Sequence, residues 1–198
     1  MNKKQLAPGI FVYSGIIEDY QTLPNDIEEG MISANKQWIQ SEIKKYDSTE
    51  VDTSARDTLA VGIPYRDKIS EDFTNFDEAF TGNLSNKFLS GFGPAEADYK
   101  AEHQFHTTWH DQYSILKYGV GQKFINHIDD HKDFHRRIST VYYINDNYLG
   151  GEIVFPRFNL QYKPKADELL IFPSTYVYNH SVLPVTEGTR YAVVSWLK

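Results

Sequence analysis

The segment KFINHIDDH places His127 and Asp129 two residues apart, where an apolar run predicts the end of a strand. Side chains at i and i+2 leave a strand on one face, so an imidazole and a carboxylate can converge on one ion. A third ligand is needed. His180, in NHSVLPV after the strand-and-turn stretch ELLIFPSTYVY, is the best candidate, because a neighbouring strand could present it to the same cavity. Two neutral imidazoles and one carboxylate on one face of an octahedron leave three positions open, the non-haem Fe(II) arrangement for a co-substrate and O2. Zinc accepts the same ligands, but a catalytic zinc normally pairs with a general base in a motif such as HExxH, and none occurs.

Ten residues after His180, Arg190 opens the strand-like run RYAVVSWL. Period 2 puts Arg190, Ala192, Val194 and Trp196 on one face and Tyr191, Val193 and Ser195 on the other. A guanidinium facing into a barrel is costly unless it meets an anion, and its planar fork suits the far end of a dicarboxylate. A second triplet, His131-Lys132-Asp133, competes with the first, and His135 follows closely. It lies in the charged stretch DDHKDFHRR, which reads as a loop, so His127 and Asp129 are preferred and His131 and His135 are left as lining for a substrate entrance. His103, His106 and His110 form another cluster, but without a nearby carboxylate they read as surface or loop histidines.

These residues need elements to hold them. Residues 10–13 read as a short strand. Residues 26–43 read as a helix with Ile27, Met31, Ala34 and Trp38 on one face, and residues 70–90 as a second, with Phe73, Phe76, Phe80, Leu84 and Phe88 forming a stripe. Residues 45–56 are polar and aperiodic, a surface loop. From residue 112 onward short strand-like runs recur between Gly, Pro, Asn and Asp clusters, among them YSILKY, STVYYI, GEIVF and ELLIF. Gly150-Gly151 reads as a turn and not a phosphate loop, lacking a following Gly-Lys-Ser/Thr. The fold class is α+β with a mainly β C-terminal half, helices packing outside an antiparallel barrel or sandwich.

With 198 residues, 40% hydrophobic and rich in Phe and Tyr, the chain is expected to form one domain, residues 1–111 supporting and residues 112–198 bearing the metal. The absence of cysteine excludes disulfides, thiolate nucleophiles and iron–sulfur clusters. A net charge of −7 argues against a bulk grip on nucleic acid. No apolar run approaches the length of a membrane span and no targeting segment is seen, so a cytoplasmic location without membrane attachment is expected.

The ordered series KYGVGQKFINHID, STVYYIN, GGEIVFP, ELLIFPS, NHSVLPV and GTRYAVVSWL resembles the prolyl 4-hydroxylase-like branch of the 2-oxoglutarate and Fe(II)-dependent dioxygenases. The resemblance implies a double-stranded β-helix, a jelly-roll-like barrel with the metal inside one mouth. By matching positions, it implies that His127, Asp129 and His180 ligate Fe(II) and that Arg190 pairs with the distal carboxylate of 2-oxoglutarate, helped by the Tyr143 hydroxyl. It also implies that Tyr118 lines the co-substrate pocket and Trp196 lies near the substrate cavity. The expected reaction consumes O2 and 2-oxoglutarate, releases succinate and CO2, and hydroxylates a substrate, with ascorbate as an optional addition. An aspartate at position 129 favours hydroxylation, since related halogenases carry a small residue there. A peptide or protein substrate is expected, with proline the leading guess. Free amino acids or other small metabolites, and a non-catalytic metal-binding barrel for sensing or interaction, are the alternatives; a nucleic-acid demethylase is disfavoured by charge.

Overall fold

The computed structural model describes residues 1–44, 49–64, 75–107, 110–130 and 135–198. The N-terminal part contributes strands β1 (Asn2–Ala7), β2 (Ile10–Ser14), β3 (Ile39–Gln40), β4 (Ile43–Lys44), β5 (Thr49–Glu50) and β6 (Leu59–Ile63), with helices α1 (Leu23–Ser33) and α2 (Asn75–His103). The remainder is β7 (Tyr113–Tyr118), β8 (Phe124–His127), β9 (Ile138–Tyr143), β10 (Leu149–Gly150), β11 (Ile153–Phe155), β12 (Leu160–Tyr162), β13 (Glu168–Pro173), β14 (His180–Val182), β15 (Val185–Glu187) and β16 (Arg190–Leu197).

An eight-stranded sheet runs in the order β1-β2-β13-β9-β16-β7-β6-β3, and a four-stranded sheet in the order β12-β11-β14-β8. Alternation along the long strands divides the core in two. On the inner face of the large sheet, Val12, Leu116, Val141, Leu170, Ala192 and Val194 cluster with Ile153, Phe155 and Val182 of the small one. On its outer face, Tyr13, Ile115, Tyr142, Ile171 and Val193 cluster with Ile27 and Met31 of α1 and with Phe88, Phe92 and Tyr99 of α2. This is the expected two-layer barrel with helices outside, and the period-2 division of β16 holds. The N-terminal residues supply strands as well as helices.

Polar ties fix the layers. Glu28 on α1 accepts hydrogen bonds from Lys117 Nζ of β7 and Tyr191 Oη of β16, both at 2.6 Å. The buried Asp167 carboxylate accepts from the Ile17 amide at 2.8 Å and from Tyr142 Oη at 3.0 Å, holding the chain after β2 against the sheet.

Three expectations are corrected. The helix expected over residues 26–43 ends at Ser33, because Asn35 takes a left-handed conformation (φ 49°) that stops it, and Ile39 enters β3 instead. The helix expected over residues 70–90 runs on to His103 through Pro94. Gly91, Gly93 and Pro94 would stop an isolated helix, but burial of Phe92, Ala95 and Tyr99 against the sheet outweighs local propensity. Residues 70–74, with Phe73, lie outside the described residues. The polar stretch 45–56 contains β5 and the buried Ala55; residues 45–48 lie outside the described residues. Among the described residues, no helix is long and apolar enough to cross a membrane.

Candidate metal centre

Strand β8 lies at the edge of the small sheet and pairs antiparallel with β14, with His127 and His180 as register partners. β8 ends at His127, so Asp129 stands just beyond the strand. Its carboxylate nonetheless converges on both rings: Asp129 Oδ1 is 3.5 Å from His127 Nε2, and Asp129 Oδ2 is 3.8 Å from His180 Nε2. One ligand atom from each of the three residues lies within 4.8 Å of the others.

The neighbours set each donor's state. His127 Nδ1 lies 2.9 Å from the Ile125 carbonyl and His180 Nδ1 3.1 Å from the Tyr178 carbonyl. A proton on each Nδ1 satisfies those carbonyls and leaves both Nε2 lone pairs facing the centre. Burial, then the neighbouring His127, lowers the His180 pKa to about 4, so this imidazole is neutral at pH 7. Burial would raise the Asp129 pKa, but His180, His127 and the Ser139 hydroxyl outweigh it and hold the carboxyl well below its ordinary range. Ser139 Oγ donates to Asp129 Oδ2 at 2.6 Å and lies 2.8 Å from Ser174 Oγ, which fixes the carboxylate's orientation. Two imidazole nitrogens and one carboxylate converging in this way could hold a divalent metal ion.

The three ligand candidates open onto a cavity of about 400 Å³, lined also by Tyr118, Thr140, Val141, Ile153, Val194, Trp196 and Arg190. Arg190 is 1% exposed, and its Nε and Nη1 make no hydrogen bond of good geometry. No carboxylate among the described residues comes within ion-pair distance. Its guanidinium carbon lies 4.7 Å from the Tyr118 ring centroid and 5.1 Å from that of Tyr143. An uncompensated cation buried among aromatic rings fits a ligand that brings its own anion. Tyr143 is fully buried, its phenol pushed up by burial, and its hydroxyl makes no hydrogen bond of good geometry. It backs Arg190 but does not line the cavity; Tyr118 does.

Gly151 (φ 67°) lets these groups approach. A Cβ there would lie 3.0 Å from both Arg190 Cδ and Tyr148 Cε2. Ser139 and Ser174 lie within the motifs STVYYIN and ELLIFPS, which assign them no role, and Tyr148 falls between two motifs. The signal was available for Ser139, since a small polar residue at an inward position of an apolar strand needs a partner.

Of the remaining expectations, Trp196 lines the cavity, with the Arg136 guanidinium stacked 3.5 Å from its ring centroid. His135 is exposed and does not line the cavity, while His131 and Asp133 lie outside the described residues. Two of the clustered histidines are half-buried and make contacts: His103, at the end of α2, lies edge-on to Phe11, and His110 Nε2 is 3.1 Å from the buried Glu96 carboxylate. His106 is exposed.

Residues 113–198 match the 2OG-Fe(II) oxygenase superfamily. The chain is 38% identical over 84 residues to a PKHD-type hydroxylase of Prochlorococcus marinus (strain MIT 9215), the match covering 39% of this chain and 37% of that relative. It is 31% identical over 86 residues to the hypoxia-inducible factor prolyl hydroxylase of Caenorhabditis elegans, covering 39% of this chain and 12% of the other. In fold it is similar to a Trichoplax adhaerens prolyl hydroxylase solved with a hypoxia inducible factor peptide fragment, with a TM-score of 0.70, 19% identity and coverage of 96% and 83% of the two chains. A Pseudomonas putida prolyl-4-hydroxylase gives a TM-score of 0.69 at 15% identity, covering 96% of this chain and 92% of that one. The chain thus spans well under half of the curated relatives it matches, while its fold extends over nearly all of it. Residues 113–198 carry the pattern of the 2OG-Fe(II) oxygenase superfamily, and part of the chain is similar in sequence to PKHD-type and prolyl hydroxylases.

Proposed function

We propose that the protein is an Fe(II)- and 2-oxoglutarate-dependent hydroxylase acting on a peptidyl side chain, with proline the leading target. One observation carries the reading: a metal-ligand triad and an uncompensated buried arginine share a single cavity. A bare metal scaffold needs no such cation.

His127, Asp129 and His180 hold the iron, and Arg190 takes the distal carboxylate of 2-oxoglutarate, with Tyr118 along the cavity wall and Tyr143 behind the guanidinium. With its co-substrate and O2, the iron supplies the oxidising power to hydroxylate an unactivated carbon, yielding succinate and CO2. Asp129 stays ionised in Ser139's grip, and the apolar wall of Val141, Ile153 and Val194 keeps water from the reacting atoms. A peptide substrate is supported by the prolyl hydroxylases among the relatives and by the peptide bound in the Trichoplax structure. Incubation with Fe(II), 2-oxoglutarate, O2, ascorbate and a proline-containing peptide library tests this. Succinate matched by one added oxygen on a peptide supports it; no succinate from iron-loaded protein favours a non-catalytic barrel.

A further inference from the structure

We infer that Arg56, with Arg136 beside it, makes the outer part of this cavity selective for a substrate carrying a carboxylate near the carbon to be oxidised. This rests on the hydroxylase reading for the identity of the reaction, but the recognition follows from separate residues. Residues 55–57 run along the free edge of β8. Ile125 N–H donates to the Ala55 carbonyl at 2.8 Å, and Asp57 N–H to the Lys123 carbonyl at 2.9 Å, while Arg56 forms a bridge to Phe124. The backbone of Arg56 is thereby fixed opposite Phe124, which precedes the ligand candidate His127 by three residues.

The side chain is fixed too. Its guanidinium lies 4.8 Å from the Phe124 ring centroid, and Phe124 stacks on His127 at 3.5 Å. Nη1 donates to the Glu42 carbonyl at 3.2 Å, whereas Nε is buried with no hydrogen-bond partner. Arg56 lines the cavity, and among the described residues no carboxylate lies within ion-pair distance of it. Arg136 lines the same cavity, its Nη1 3.4 Å from the Asp129 carbonyl and its Nε 3.5 Å from the Asp111 carboxylate. An anion received at this part of the cavity gives the Arg56 charge a partner and meets its unsatisfied donor. Arg190 is left to the co-substrate, and Ile43, Ile125 and Ile128 give the bound molecule apolar contact. An acidic side chain next to the target in a peptide, or the carboxylate of a free amino acid, presents the required group.

The test uses the anaerobic Fe(II)–2-oxoglutarate protein, titrated calorimetrically with matched peptides carrying Asp, Asn or Lys beside proline, and with free aspartate and proline. The Asp peptide should bind about tenfold more tightly than the Asn peptide, Arg56→Gln should erase that difference, and Arg56→Glu should shift preference to the Lys peptide. Misfolding cannot produce that reversal. Tighter binding of free proline or aspartate than of the Asp peptide assigns the carboxylate to a free amino acid, and the same variants should then weaken that ligand. Equal affinity for Asp and Asn peptides, or no binding of any acidic probe at millimolar concentration, overturns the inference. Admitting air afterwards separates the two readings: acid-selective binding without an added oxygen defeats peptide hydroxylation but not the anion recognition.

Discussion

His127 and His180 face one another across adjacent antiparallel strands, with ring centroids 4.3 Å apart, and Asp129 closes the triangle from the loop beyond β8. The ladder fixes the spacing of the two imidazoles, while the carboxylate depends on side-chain partners. Iron content should therefore respond in grades. Asp129→Ala should lose its iron on dialysis, whereas Ser139→Ala should weaken iron affinity by about 10–100-fold, as expected when an outer partner of a ligand is removed. Metal analysis decides it. Normal iron in Asp129→Ala, with loss in Asp133→Ala, would transfer the role to the second triplet.

Arg190 should trade stability for binding. Its buried charge has no counter-ion among the described residues, so Arg190→Met should stabilise the ligand-free protein by on the order of 1–4 kcal/mol, reduced by the lost stacking on Tyr118 and Tyr143. The same variant should lose 2-oxoglutarate affinity by on the order of 2–5 kcal/mol while keeping its iron. Thermal unfolding and co-substrate titration measure the two effects; an unchanged affinity would remove Arg190 from the proposed role.

Acid should destabilise the metal-free protein in a defined window. The pKa of His180 falls from its ordinary 6.5 to about 4 on folding, so between those values the unfolded chain binds a proton that the folded chain does not. Stability is therefore full above about pH 6.5 and falls as pH drops toward 4, with Asp129, also lowered, continuing the loss below that. Unfolding temperature followed against pH should show this decline in the wild type and a much shallower one over the same window in His180→Gln.

Gly151→Ala should act on the co-substrate end alone. The new Cβ meets Arg190 and Tyr148 at a positive φ, so a stability cost of roughly 1 kcal/mol or more is expected, with a raised KM for 2-oxoglutarate. Iron content should match the wild type. A KM unchanged beside a lowered melting temperature would mean that the crowding of Arg190 is relieved elsewhere.

The barrel was legible because its strands alternate and its ligand motifs are short and ordered. In β16 the alternation alone separates Arg190 from Tyr191, and the structure agrees. The helices were less so. Stop signals at Gly91, Gly93 and Pro94 are local, whereas what carries α2 past them is distant: the buried contact of Phe92 with Tyr113 and Tyr142. Arg56 was invisible for the same reason. Nothing in a polar, aperiodic stretch says that its backbone will lie along β8, and only that pairing brings its charge to the cavity. Tyr143 shows the converse limit, since a motif position names a residue but not whether its hydroxyl reaches the open space.

The central claim is that metal and co-substrate occupy one cavity, and thermodynamic linkage tests it most directly. Anaerobic titration of 2-oxoglutarate into the protein with and without Fe(II) should show that the metal tightens binding by a factor in the range of about 5–150, and 2-oxoglutarate should tighten Fe(II) binding by the same factor. In Asp129→Ala the coupling should vanish. Equal affinity for 2-oxoglutarate in the presence and absence of Fe(II) in the wild type would contradict the shared site.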